Sequence, residues 1–346
     1  MTRTLLTVVG ARPQFIKAAP VSRALAAQSS LREVLVHTGQ HFDPSMSDVF
    51  FSELGLRDPD YNLDIHGGSH GAMTGRMIVA LEQLMMSVRP DAVVIYGDTN
   101  STLAAAVVAA KLFVPVAHIE AGLRSFRPMP EEVNRVIADR VSRWLFCPTD
   151  TAVRNLAAEG IKDGVHDVGD VMYDAALMMA ERAQTQSMIM AQLGLAAEAF
   201  DLATVHRAEN TDSPAALREV VDYLLASARG VPVVLPLHPR TRQASARFGI
   251  DLSGLRVIDP VGYLDMTALL AHCRQVLTDS GGLQKEAYFH RKPCVTLRDA
   301  TEWTETVEFG WNRLWHGPDY APRREITAYG DGKAAEKIAA ALAAEV

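Results

Sequence analysis

Short apolar, β-branched runs alternate with helix-patterned segments along almost the whole chain, and that alternation admits few folds. Each run ends in small or polar residues and is too short for a helix, so each reads as a buried strand. Strand, helix and strand in repetition imply crossover connections, and hence a parallel sheet with helices on both faces. In the first half the pattern predicts strands at 5–9, 33–37, 92–96, 114–119 and 144–147, with helices at 13–27, 45–54, 71–87, 101–112, 131–143 and 149–159. The second half repeats it, with strands at 200–205, 231–237, 255–258, 274–278 and 293–297 and helices at 215–227, 240–248, 263–271 and 283–289. Between the halves, 171–195 is rich in Ala, Met and Gln, lacks a strand pattern and reads as a helical connector. At 346 residues the chain suits two domains rather than one core. The expectation is two Rossmann-like doubly wound α/β domains, 1–170 and 171–330, with a ligand cleft between them. An Ala-rich helix in 331–346 is expected to pack back on the first domain.

Charge and cysteine usage remove several functions. Lys and Arg number 34 against 41 Asp and Glu, a net charge of -7 that argues against nucleic acid as a partner. No apolar run approaches the roughly 18–20 residues that span a bilayer. Met1-Thr2-Arg3 leads straight into a strand, so the cytoplasm is the expected location and a membrane is not an expected partner. Cys147, Cys273 and Cys294 are isolated beside apolar runs and read as small buried hydrophobes. HxxH and CxxC spacings are absent, and His37 and His41 straddle a Thr-Gly turn, so neither a metal nor a cofactor is expected.

Chemistry gathers between residues 96 and 135. Asp98 and Glu120 follow two of the strand runs, and Glu131 and Glu132 lie just beyond. In open α/β sheets ligands bind outside the carboxyl ends of the strands, where burial and neighbouring charges separate carboxyl pKa values into an acid and a base. The plainer alternatives are an N-cap for Asp98, serving the helix at 101, and a first helical turn after Pro130 for the two glutamates.

A second group reads as a phosphate site. In 276–286 a strand runs into Asp-Ser-Gly-Gly and then a helix, so Gly281 and Gly282 leave bare amides where the helix dipole favours an anion. Ser280 adds a hydroxyl, and Glu286 is suited to the two hydroxyls of a ribose. The first strand ends in 10–17, GARPQFIK, which is no dinucleotide fingerprint; Arg12 and Lys17 put two cations at the turn instead. His206 and Arg207 follow a strand of the second half and add donors from the other domain. Cations from both halves with a Gly-Gly nest imply a diphosphate clamped in the cleft.

The motifs GARPQFIK, TGQH, YGDTNST, HIEAGLR, MPEEVNR, LHPR, DPVGYL, LTDSGGLQKEA and RDATEW, in order over nearly the whole chain, resemble the non-hydrolysing UDP-N-acetylglucosamine 2-epimerases. The resemblance implies a glycosyltransferase-B-like pair of domains and reversible inversion at C2 of a UDP-linked 2-acetamido sugar, without metal or redox cofactor. It implies elimination of UDP to a 2-acetamidoglucal and re-addition, for surface polysaccharide precursors, by a homodimer. Carried over by motif, Asp98, Glu120 and Glu131 handle the proton, with Glu132 structural. His206 joins the catalytic group; Arg12, Lys17, Arg207, Ser280, Gly281 and Gly282 stabilise UDP, Glu286 takes the ribose, and Arg298 and Glu302 flank the sugar-phosphate end.

Where family members carry Thr-Glu-Arg-Pro-Glu, this chain has Thr301-Glu302-Trp303-Thr304-Glu305. With 66–70 (HGGSH) and 73–76 (MTGR), that departure resembles the branch acting on UDP-2,3-diacetamido-2,3-dideoxy-glucuronate. UDP-N-acetylglucosamine is the sugar expected first and the diacetamido sugar second. Family members also bind a second UDP-N-acetylglucosamine as an activator; Gln40, His41, Arg76 and His238 match those contacts, but Asp43 stands where a glutamine is usual. The segment after Trp311 is shortened. Competing classes are a glycosyltransferase on the same fold and a non-catalytic nucleotide-sugar sensor.

Overall fold

The computed structural model describes residues 2–40, 51 and 53–346; the expected helix at 45–54 lies almost wholly outside them, as do His41 and Asp43. The chain divides into two compact units, the first comprising Met1–Ala175 and Thr327–Val346, the second Ala176–Ile326.

Unit 1 is built on seven strands: β1 (Arg3–Val9), β2 (Leu31–His37), β3 (Tyr61–Asn62), β4 (Ala92–Tyr96), β5 (Val116–Ile119), β6 (Trp144–Cys147) and β7 (Val165–Asp167). They form one sheet in the order β3-β2-β1-β4-β5-β6-β7. β1 pairs in parallel with both β2 and β4, so the winding reverses between β1 and β4. Helices α1 (Arg12–Ala26), α2 (His70–Val88), α3 (Asn100–Lys111), α4 (Pro130–Val141) and α5 (Asp150–Ala158) connect the strands, and α6 (Val171–Gln186) begins in unit 1 and ends in unit 2. Every residue of β4 and β5 is buried, which is why β4 is a continuous apolar run and β5 is apolar but for His118. Leu6, Val8, Val93, Ile95 and Val116 of the sheet share a core with Met77, Leu81 and Met85 of α2 and with Ala104, Ala105 and Val108 of α3. Helix starts follow local chemistry: Ser69, Thr99 and Thr149 cap α2, α3 and α5 through their side-chain oxygens, and Pro130 opens α4.

Unit 2 repeats the plan with α7 (Ile189–Gln192), β8 (Asp201–Thr204), α8 (Ala208–Thr211), α9 (Pro214–Ser227), β9 (Val233–Pro236), α10 (Pro239–Phe248), β10 (Arg256–Ile258), α11 (Tyr263–His272), β11 (Val276–Thr278), α12 (Gly281–Phe289), β12 (Cys294–Thr296), α13 (Thr304–Glu308) and β13 (Asn312–Leu314). Its sheet runs β10-β9-β8-β11-β12-β13, so here the winding reverses between β8 and β11. Leu217, Val220, Val221 and Leu224 of α9 pack on Val233, Leu235, Leu277 and Val295. The last helix, α14 (Ala334–Glu345), belongs to unit 1; it packs on α1, and Trp144 Nε1 donates to Glu345 Oε2 at 2.7 Å.

Three strands escape the sequence pattern: β3, β7 and β13, each two or three residues at the edge of a sheet. All three cysteines are buried, and burial pushes the Cys147 and Cys273 thiols up to about 12. Among the described residues no helix is long and apolar enough to cross a membrane.

Candidate active site

The carboxyl end of β4 runs through Gly97 to Asp98. Gly97 has φ 60°, and a Cβ there would stand 3.1 Å from Glu120 Oε2, so the turn requires its glycine. The N-cap of α3 is Thr99, whose hydroxyl accepts from the Thr102 amide at 3.2 Å. This overturns the capping alternative for Asp98, whose carboxylate instead receives Arg135 Nη2 at 2.5 Å. Asn134 Nδ2 donates to the Asp98 carbonyl at 2.8 Å, and Arg135 Nη1 reaches Glu132 at 3.0 Å. The PEEVNR run is thereby explained: one helical turn of α4 grips the Asp98 turn.

Glu132 accepts from the Ser125 amide at 2.9 Å and the Ser125 hydroxyl at 2.8 Å, which orders the preceding loop. Burial alone would raise its carboxyl pKa, but the hydrogen bonds from Ser125, Phe126 and Arg135 outweigh that and hold it low. Glu131 makes no such bond among the described residues. It lies four positions before Arg135, one turn away on the same helix face.

Glu120 follows β5 with φ 70°, a left-handed conformation that a non-glycine residue adopts at a cost of about 1–3 kcal/mol. Its amide and that of Ala121 both donate to the Phe146 carbonyl at 3.1 Å, and its carboxylate pairs with Lys17 Nζ. Lys17 thus meets one of the acids directly. Arg12 opens α1 with an exposed side chain. Gln14 ties this turn to β4: Oε1 accepts from the Gly10 amide at 2.8 Å and Nε2 donates to the Tyr96 carbonyl at 2.8 Å.

The matching place in unit 2 lies at the ends of β8 and β11. Asp279 is fully buried and accepts from the amides of His206 and Arg207, each at 2.9 Å, and from Asn210 Nδ2 at 3.0 Å. It fixes the His206-Arg207 turn against the start of α12. Ser280 is the N-cap of α12 but its hydroxyl makes no capping bond. A Cβ on Gly281 would meet Trp303 Nε1 at 3.6 Å, Arg207 Nη2 at 3.7 Å and Glu302 Oε2 at 3.7 Å, so these three side chains surround the helix N-terminus. Gly282 follows in the same turn with open space at its Cβ position.

Trp303 Nε1 donates to the Gly281 carbonyl at 2.8 Å, and Lys285 Nζ stands 4.3 Å from the centre of its ring. Arg298 joins Glu302 at 3.0 Å and Glu209 at 3.3 Å. Burial would raise the Glu302 carboxyl, but the Arg298 hydrogen bonds and the charges of Arg298 and Arg207 keep it below the usual range. Glu286 receives a long 3.4 Å contact from Tyr263 Oη. His206 lies 5.4 Å ring to ring from His238, whose Nδ1 accepts from the Arg240 amide at 3.1 Å; burial and then the His206 charge lower its pKa.

Of the residues matched to an activator site, Gln40 accepts from the Ser101 amide at 3.1 Å and its hydroxyl at 2.8 Å, and Arg76 donates to the His66 carbonyl at 2.9 Å. The sequence reading assigned no role to Asn134, Arg135 and Asp279, which hold the two turns. The first two carried a signal, being polar at helical spacing behind a paired glutamate.

A family model described as UDP-N-acetylglucosamine 2-epimerase matches residues 23–343. The chain is 56% identical over 315 residues to a UDP-2,3-diacetamido-2,3-dideoxy-D-glucuronate 2-epimerase from Pseudomonas aeruginosa, covering 90% of this chain and 87% of that protein. It is 40% identical over 321 residues to a UDP-N-acetylglucosamine 2-epimerase from Methanocaldococcus jannaschii, with 90% and 87% covered. A crystal structure of the Methanocaldococcus jannaschii UDP-GlcNAc 2-epimerase in complex with UDP-GlcNAc and UDP superposes with a TM-score of 0.83 at 38% identity, over 98% of this chain and 99% of that one. Two doubly wound parallel sheets, together with this match, define a two-domain α/β protein of glycosyltransferase-B-like fold. The chain belongs to the UDP-N-acetylglucosamine 2-epimerase family and is an isomerase.

Proposed function

We propose that the chain inverts, reversibly, the configuration at C2 of a UDP-linked 2-acetamido sugar. A side-chain base takes the C2 proton, the C1–O bond to UDP breaks, and the electron pair left at C2 becomes the C1=C2 bond of a 2-acetamidoglucal. UDP then adds back to C1 while a protonated side chain delivers hydrogen to the other face of C2. Two proton transfers at one carbon need more than one group, and Asp98, Glu120 and Glu131 are the set proposed. His206, Arg12, Arg207, Ser280 and the amides of Gly281 and Gly282 carry the charge of departing UDP, and Lys17 serves Glu120 as well as the diphosphate. Glu286 takes the ribose, and Arg298 and Glu302 face the sugar-phosphate end.

The observation that carries this reading is the pair of carboxylates at the carboxyl ends of adjacent strands, Asp98 on Arg135 and Glu120 on Lys17. Within the class, the 56% identity to the diacetamido-glucuronate enzyme against 40% to a UDP-N-acetylglucosamine enzyme favours the diacetamido sugar over UDP-N-acetylglucosamine. The same reading has the protein act in the cytoplasm as a homodimer on polysaccharide precursors; light scattering at twice the chain mass checks the dimer.

Incubation of each sugar in deuterium oxide, without an acceptor, tests the reaction. Deuterium at C2 is the expected result, with the ratio of kcat/KM values naming the sugar. Transfer to an added acceptor without C2 label would replace the reading with a glycosyltransferase, and tight binding without exchange with a sensor. Release of free N-acetylmannosamine and UDP would make it a hydrolysing enzyme.

A further inference from the structure

His118 lies in the middle of β5, two residues before Glu120, and is fully buried. Its Nε2 is 2.8 Å from the carbonyl oxygen of Gly97, the peptide that leads into Asp98. Its Nδ1 is 2.7 Å from Oδ1 of Asp139, in the last turn of α4 and likewise buried. A carbonyl only accepts, so Nε2 carries a hydrogen, and both ring nitrogens are committed. Asp139 Oδ2 accepts from the Gly122 amide at 3.1 Å and from Arg124 Nη1 at 2.7 Å. Arg124 closes the chain on Glu159 through Nε at 2.6 Å and Nη2 at 2.8 Å. Gly122 has φ 78°, and a Cβ there would fall 2.4 Å from the Ala152 carbonyl oxygen, so the turn after Glu120 is locked on its far side too.

A central strand buried on both faces is ordinarily filled by Val, Ile or Leu. Setting an imidazole there, against a buried carboxylate and guanidinium, carries a desolvation penalty that good pairing only roughly offsets. What such a network supplies is position. It touches the backbone at Gly97, just before Asp98, and at Gly122 and Leu123, just after Glu120.

We infer that His118 and Asp139 are positioning residues for epimerisation, a strut that holds the Asp98 turn and the Glu120 turn at a set separation. This rests on the function proposed above. Asp139 stays ionised within the strut, because the hydrogen bonds and charges of His118 and Arg124 hold its carboxyl pKa low against the burial that would raise it. The strut reaches neither reacting atom. Its loss therefore acts on the rate of proton transfer at C2 and leaves the nucleotide's hold unchanged.

The test uses full-length His118→Leu, His118→Gln and Asp139→Asn proteins. It measures C2 deuterium uptake, KM, UDP affinity by calorimetry, and amide hydrogen exchange at 97–99 and 120–122. Because misplacement on the order of 1 Å costs about 100-fold, His118→Leu should lower kcat roughly 30–100-fold with KM and UDP affinity within about twofold. His118→Gln, which keeps an N–H for Gly97, should recover part of that loss, and Asp139→Asn should fall between. Exchange should quicken at both turns in all three. Should His118→Leu fail to fold, the Gln variant decides. A kcat within about threefold of wild type, or a KM and UDP affinity that worsen in step with kcat, overturns the strut. Wild-type protein that labels neither sugar overturns the underlying function instead, and unchanged exchange at the two turns then removes the strut as well.

Discussion

Unit 1 and unit 2 each turn from strand to helix at the carboxyl ends of their central strands, yet unit 1 sets carboxylates there and unit 2 bare amides and an arginine. At the first, Asp98 and Glu120 project beyond β4 and β5 and each meets one cation, Arg135 or Lys17. At the second, the one deeply buried acid, Asp279, is consumed by backbone amides, while Arg207 stands beside Gly281 with its Nε buried and lacking a hydrogen-bond partner among the described residues. The backbone plan is common to both, so the plan does not choose the chemistry. The residues that follow each strand choose it, and under the proposed function they give unit 1 proton transfer and unit 2 anion binding.

The largest expected effect breaks the comparison on the unit 1 side. Asp98→Asn should abolish C2 label uptake, a loss of about 1,000-fold or more, with UDP affinity within twofold. A parallel loss of UDP affinity would mean that Asp98 belongs to nucleotide binding.

Next comes a pH effect confined to unit 1. Asp174 is buried, with Oδ1 on the Ala335 amide at 2.8 Å, and burial pushes its carboxyl up to about 6. The folded state then holds this proton more tightly than the unfolded chain, whose value is near 3.8. The stabilisation is complete below 3.8 and is lost as pH rises through about 6, some 3 kcal/mol at most. Thermal melts between pH 4.5 and 7 should show this slope in wild type and a flatter one in Asp174→Asn. Identical slopes would discard the role.

On the unit 2 side, Arg207→Met should weaken UDP binding by about 30-fold, near 2 kcal/mol, because a charge-assisted contact to phosphate is lost. The rate of label uptake at saturating sugar should change far less, and a collapse of kcat at unchanged affinity would move Arg207 into the chemistry. The smallest effect sharpens the boundary between the sugars: Trp303→Phe deletes the 2.8 Å bond to Gly281 while keeping the ring face for Lys285. It should cost about 1 kcal/mol, visible as a several-fold rise in KM for one sugar over the other. An equal rise for both would deny Trp303 a part in sugar choice.

The central strands were legible because burial on both faces demands unbroken apolar runs; β4 and β6 have the expected bounds. The expected strand at 114–119 starts instead at Val116, since Phe113 turns left-handed and the Val114 amide closes the end of α3 on Ala109. Of the edge strands only β10 was legible: β3 is Tyr61-Asn62, exposed at both positions, and it exists only by pairing with Val36 and His37. At the site, Asp98 and Glu120 announced themselves by following apolar runs. That Arg135 is the partner of Asp98 was not legible, since the bond joins residues 37 apart in sequence. His118 looked like one more strand residue.

The order of residues alone determined where chain direction and side-chain type change, because strand and helix periodicity and the chemistry of turns act over a few neighbours. It therefore supplied two Rossmann-like sheets, acids beyond β4 and β5, and glycines opening α12. Which acid meets which cation, and that an imidazole bridges two turns, were decided by tertiary structure. Those contacts span tens of residues, and their energy comes from desolvated charges brought within hydrogen-bonding distance, which no local stretch of sequence encodes.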